Sequence, residues 1–253
     1  MRNLIAGFLI CCLLVSCVEV TQSPPPESNP EPSTQTQQQG VRYFRSAADG
    51  ESRYRSLSRA LEPRIERTCR QYHANKRASF CDFQFKLNRD TRQAPNAFQS
   101  LDNQGRPVIT FNINLLRSMA NNDEIAFVIG HEAGHQIASH LIQARGNIQA
   151  GAAAGSILAG IIGADPQIGA DLGGFIGSRA YSKEFELEAD TIGTHIAYRA
   201  GYSPIKGIGY FQRTQTGSSA VLATHPPSND RIRRVQNEYN RILQSSGTAP
   251  LRW

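Results

Sequence analysis

The 253-residue chain has few cysteines, no apolar run of membrane-spanning length, and no basic strip interleaved with aromatics. Its cysteines stand at positions 11, 12, 17, 69 and 81. Apart from His73, no other Cys or His lies near Cys69 and Cys81 at ligand spacing, which argues against a cysteine-based metal knuckle there. The longest apolar run, Leu4 to Val15, is too short for a comfortable membrane helix. A second stretch, from Gly146 to Ser178, is dominated by Gly and Ala with Ile and Leu, but Asp165, Pro166 and Asp171 interrupt it. That pattern argues against a membrane hairpin and for close-packed small-residue helices or a flap. The formal charge of +6 is scattered, with clusters at Arg231, Arg233 and Arg234 and along Arg53 to Arg70. These read as solvated helix faces, and nucleic acid is excluded as a partner. No internal repeat is visible.

What is present begins with an address. Met1-Arg2-Asn3 is a short positive segment, the apolar run follows, and Leu14-Val15-Ser16-Cys17 resembles a bacterial lipobox. Residues 1–16 are therefore expected to be a lipoprotein signal peptide, with lipid carried on Cys17. Val18, rather than an aspartate, follows the cysteine, and by the usual sorting rule this points to the periplasmic face of the outer membrane of a Gram-negative bacterium. Residues 17–40, rich in Pro, Gln, Ser and Thr, read as a disordered tether, which leaves 41–253 as the folded domain. In an oxidising compartment, Cys69 and Cys81 form an even pair and are expected to be disulfide-bonded. Closing that short loop would contribute about 2–3 kcal/mol.

Within the domain, Tyr54, Leu57, Leu61, Ile65 and Cys69 recur at helical spacing over residues 46–75, with Pro63 a possible kink. Alternation over 81–88, a run from Asn96 to Leu101, the turn Asp102-Asn103-Gln104-Gly105, and Val108 to Ile113 predict three strands. They are read as a small antiparallel sheet whose exposed edge could take an extended peptide as an added strand. A helix capped by Asn121 or Asn122 is expected to stop near Arg145-Gly146. Further helices are expected from Lys183 to Ala200 after a Ser182 cap, from Ser203-Pro204, and from Ser228 to about Leu243.

The chain is organised around His131-Glu132-Ala133-Gly134-His135. On a helix, residues four apart share a face, so His131 and His135 can offer imidazole nitrogens to one ion. Glu132 sits about 100° further round, where its carboxylate can reach a zinc-held water as general base. A hydrolytic zinc site needs a third protein ligand. Of Glu184, Glu186 and Glu188, neighbours in the set point about 200° apart, so one alone faces the metal. Glu186 is chosen, because Asp190 one turn on can accept the spare N–H of a ligating histidine. His140 and His195 each lie nine residues from a ligand, about half a turn off its face, and are read as structural.

HEAGH, followed by Tyr181-Ser182-Lys183-Glu184-Phe185-Glu186-Leu187-Glu188-Ala189-Asp190 and Thr224-His225-Pro226, resembles the HtpX-like and CAAX-prenyl-protease family of zinc metallopeptidases. Within that family the bacterial periplasmic lipoprotein branch is the most similar. The resemblance covers about Asn96 to Arg234, with Lys183 where many members carry arginine. It implies a gluzincin fold, α+β and mainly helical, holding one Zn2+ on His131, His135 and Glu186, with Glu132 as base. It also places His225 close to the site, as a donor to the oxyanion or as a fourth zinc ligand at rest, with Arg231 a weaker oxyanion candidate.

The expected activity is zinc-dependent endopeptidase cleavage of misfolded or envelope proteins in periplasmic quality control. Its rival is a lipoprotein chaperone or outer-membrane assembly factor whose protease site is latched or rarely used.

Overall fold

A computed structural model describes residues 43–161, 165, 167, 183–214, 225 and 228–253. The expected signal peptide, Cys17, the tether, the Ser182 cap and most of the 162–178 stretch lie outside the described residues.

Helix α1, Ala47–Tyr72, starts at Ser46, whose hydroxyl accepts from Asp49 N, and contains Pro63. It buries Tyr54, Leu57, Leu61, Ile65 and Cys69, the stripe its spacing predicts. A 3-10 turn, Ala78–Cys81, then leads into β1, Gln84–Asn88. Cys69 and Cys81 are disulfide-bonded with Cα atoms 5.7 Å apart. The bridge thus ties α1 to the turn before the first strand, not to the strand itself.

Strands β2, Ala97–Leu101, and β3, Pro107–Asn112, complete a sheet of order β1-β3-β2. This sheet is mixed, which corrects the antiparallel expectation: β2 and β3 form a hairpin, whereas β1 and β3 run parallel. The cause is the 89–96 connection, which carries the chain past the end of β3 before β2 begins. Asn114 Nδ2 donates to the carbonyls of Thr91 and Gln93, and the Asn112 side chain accepts from Asn96 N and donates to the Ala94 carbonyl. Two asparagines thus hold the crossing and leave β3 to fill the middle. Among the described residues no strand pairs with the other edge of β2.

A short helix α2, Ile113–Ser118, precedes α3, Asn122–Ile137, which Asn121 caps by accepting from Glu124 N. Every residue of α3 from Glu124 to Ile137 is buried, so this helix is the axis of the fold. It ends at Ile137, earlier than the predicted Arg145-Gly146 stop. Ser139 adopts φ 61°, breaks the helix, and its carbonyl accepts from Ile142 and Gln143 N at the start of α4, His140–Ile161. Gly146 lies inside α4, which accounts for the first part of the Gly/Ala-rich stretch. Among the described residues, no helix is long and apolar enough to cross a membrane.

Helix α5, Lys183–Arg199, packs on α3 in the most extensive helix contact of the fold and stops at Gly201, φ 87°. Two short helices follow, α6, Pro204–Gly207, capped by Ser203, and α7, Gly209–Thr214. The last helix, α8, Asn229–Gln244, is capped by Ser228.

Candidate metal centre

The crossing of α3 and α5 is lined by residues almost without side chains. A Cβ on Gly134 would lie 2.9 Å from the Ala189 carbonyl oxygen, and one on Gly193 would lie 2.9 Å from His131 N. Only glycine permits that approach, and it sets the face carrying His131 and His135 directly against the face carrying Glu186 and Asp190. All four are buried.

Four groups converge there. His131 Nε2 is 3.1 Å from His135 Nε2, 3.4 Å from His225 Nδ1 and 3.4 Å from Glu186 Oε2. Glu186 Oε1 is 3.4 Å from His135 Nε2 and 2.9 Å from His225 Nδ1. One atom from each of the four residues can be chosen so that all lie within 4.8 Å of one another. A tetrahedral zinc with arms of about 2.0–2.1 Å has edges of about 3.3 Å, and the observed separations bracket that value. Three imidazoles and a carboxylate also suit the borderline-soft ion better than the all-oxygen sets of calcium or magnesium. The donor set fits a metal.

Electrostatics point the same way. Burial and the neighbouring Arg231 oppose protonation of His131, yet Asp190 and Glu186 outweigh them and raise its pKa to about 9. Burial likewise disfavours the Glu186 carboxylate, but His225 and His131 hold its pKa well below the ordinary range. Burial, with His131 and His225 beside it, holds the His135 pKa well below the usual imidazole value, so the carboxylates favour positive charge on His131 and not on every imidazole of the cluster.

Around it, His131 Nδ1 lies 2.9 Å from Asp190 Oδ1, which fixes that imidazole with its other nitrogen toward the cluster. Arg231, 2% exposed, places Nε and Nη2 each 2.7 Å from the two Asp190 oxygens. Its Nη1 is 3.0 Å from Glu186 Oε2 and donates to the His225 carbonyl at 3.1 Å. The Phe211 ring covers the guanidinium at 4.3 Å. Arg231 thus stands behind the carboxylates and supports them.

Its inward position was signalled by the spacing Arg231, Val235, Glu238 and Ile242, the buried stripe of α8, along which Arg233 and Arg234 do not fall. Glu132 is 1% exposed, and its Oε2 has no hydrogen-bond partner among the described residues. Its Oε1 is 3.6 Å from His225 Nε2, and both side chains line a small recess with Asn96 and Ala97 at the start of β2, Leu115, Val128, Tyr210 and Phe211.

Two residues near the cluster were not read from the sequence as part of it. His140 Nδ1 is 2.9 Å from His135 Nδ1, and His140 Nε2 is 2.9 Å from Glu188 Oε2. A half-turn offset holds only where one helix runs from His131 to His140, and the break at Ser139 removes that condition. Glu184 is exposed, as expected of the set member that does not face inward. His195 pairs instead with Glu238 of α8, away from the cluster.

A profile of peptidase family M48 matches residues 59–239. The chain is 33% identical over 170 residues to the mitochondrial metalloendopeptidase OMA1 of Saccharomyces cerevisiae, covering 62% of this chain and 48% of that protein. It is 30% identical over 154 residues to the beta-barrel assembly-enhancing protease of Escherichia coli, covering 52% of this chain and 31% of that protein. Against the OMA1 of Schizosaccharomyces pombe it is 27% identical over 161 residues, covering 61% and 47%. The chain therefore spans less than half the length of these relatives.

Proposed function

The chain belongs to peptidase family M48, and from that membership and the geometry of the cluster we propose that it is a zinc-dependent metalloendopeptidase. The observation that carries the proposal is the convergence of His131, His135, Glu186 and His225, with the Glu132 carboxylate at the same recess. When bound, zinc would polarise the scissile carbonyl and acidify a water. His131, His135 and Glu186 would hold it. Glu132 takes the proton of the attacking water and delivers it to the leaving amine, a role open to its Oε2, which no described residue hydrogen-bonds. The start of β2, whose outer edge pairs with no described strand, lies at the recess, so an extended substrate can pair with it through its backbone and be held with little dependence on sequence.

His225 supports a resting state in which it fills the fourth position, since its Nδ1 is as close to the cluster as the other ligands. Swung aside, the same imidazole could donate to the developing oxyanion. That closure also favours a second reading, an assembly factor or chaperone whose protease site is used rarely; the Escherichia coli relative is named a beta-barrel assembly-enhancing protease. Unfolded or misfolded envelope proteins are the proposed substrates. Lipid on Cys17 would hold the enzyme at the periplasmic face of the outer membrane.

The test is degradation of an unfolded protein such as casein by the domain from Gly40 onward, wild type against Glu132→Gln, with zinc measured in both. The expected outcome is unchanged zinc and a rate lowered by about 10²–10⁴-fold in the variant. Equal turnover by the two would refute the assignment of Glu132. If neither cuts while both hold zinc and remain folded, the latched reading gains.

A further inference from the structure

The two histidines of the zinc helix are supported differently. His131 leans directly on the buried Asp190 carboxylate. His135 leans on another imidazole, His140, which in turn reaches Glu188, a carboxylate whose side chain is 34% exposed. The hydrogen-bond directions along this chain follow from its far end. A carboxylate oxygen only accepts, so His140 Nε2 carries the proton and donates to Glu188. His140 Nδ1 is then a bare lone pair. At 2.9 Å from it, His135 Nδ1 must be the donor, which leaves His135 Nε2 unprotonated and aimed at Glu186 and His131.

We propose that His140 and Glu188 are positioning residues that select the metal-binding tautomer of His135 and fix its ring. The fold supplies the means. The left-handed Ser139 turns the chain so that the first residue of α4 folds back onto α3. Phe185 of α5 stacks on the His140 ring at 4.3 Å and 12° and holds its plane, while Glu188 closes the relay from the same helix. His140 is fully buried, so without these contacts its two ring nitrogens would sit in the interior unsatisfied. The inference rests on the metal-site reading, and it assigns the pair a task the four converging residues cannot perform for themselves.

The test uses the full chain and zinc alone. His140→Phe keeps the ring stack but removes the acceptor. His140→Asn restores an acceptor near the Nδ1 position, and Glu188→Leu removes the outer carboxylate. Zinc dissociation constants are measured by competition with a chromogenic chelator, together with the visible spectrum of the cobalt-loaded protein and the metal-free melting temperature.

His140→Phe is expected to weaken zinc binding about 10–100-fold and alter the cobalt spectrum, alongside the lower metal-free melting temperature that a stranded His135 Nδ1–H brings. His140→Asn should recover most of that loss, and Glu188→Leu should fall between the two. Wild-type affinity and spectrum in His140→Phe would overturn the proposal, as would equal losses in the Phe and Asn variants, which would assign the effect to packing. If the wild-type chain itself bound no zinc, the underlying metal-site reading would fall instead, and the two failures are thereby told apart.

Discussion

The centre has two halves of different construction. His131, His135, Glu186 and Asp190 stand on two helices whose backbones touch at Gly134 and Gly193, so their relative positions follow from packing that cannot shift without cost. His225 comes from outside the described helices and is held through its main chain, by Arg231 Nη1 on its carbonyl. Its side chain meets groups of the cluster and Glu132. A rigid pair of helices suits ligands that must be in place before substrate arrives. His225 stands on neither of these helices, so its imidazole is not set by their packing. The difference teaches which contacts belong to the fold and which to the working of the site.

Removing Arg231 breaks the comparison most severely, because this side chain serves both halves. Arg231→Leu would leave the buried Asp190 and Glu186 carboxylates facing each other across His131 without their guanidinium. The expected cost is about 3–5 kcal/mol in denaturant unfolding, the range for breaking a buried pair from one side. A loss below about 1 kcal/mol would mean that Arg231 is an exposed charge in solution.

A subtler change tests the rigid half alone. Gly193→Ala places a methyl 2.9 Å from the His131 backbone nitrogen, an atom that cannot yield by changing rotamer. The helices must part by some tenths of an ångström, at an expected cost of about 1–3 kcal/mol, with weaker zinc binding alongside. An unchanged melting temperature and zinc affinity would show that the crossing is not as close as described.

How much of this was legible in the sequence depended on whether the deciding contact was local. The caps at Ser203 and Ser228 were readable, and Asn121 was one of the two candidates for α3, because an N-cap and its partner lie within three residues. Glu186 and Asp190 were readable because one turn of helix relates them. The parallel pairing of β1 with β3 was not, since it depends on Asn112 and Asn114 holding a connection about twenty residues earlier. The break after α3 was hidden for another reason. Ser139 carries no compositional sign of its positive φ, and a polar residue between Ala138 and His140 is equally at home inside a helix. One misjudged stop therefore moved His140 from the relay behind His135 to an imagined far face.

The smallest expected effect on stability, and the sharpest test of the comparison, is His225→Ala. If this residue belongs to the working half, removing its imidazole deprives the fold of little. The chain is still anchored by its own carbonyl on Arg231, and denaturant unfolding should change by less than about 1 kcal/mol. Zinc should remain, because His131, His135 and Glu186 complete a three-ligand set. Peptidase activity should move in one of two directions, each with a distinct meaning. A rise requires that the imidazole blocks the fourth position at rest, and a fall with unchanged KM requires that it stabilises the transition state. Unchanged activity together with a large loss of stability would place His225 with the packed helices, and the two halves of the site would then be one.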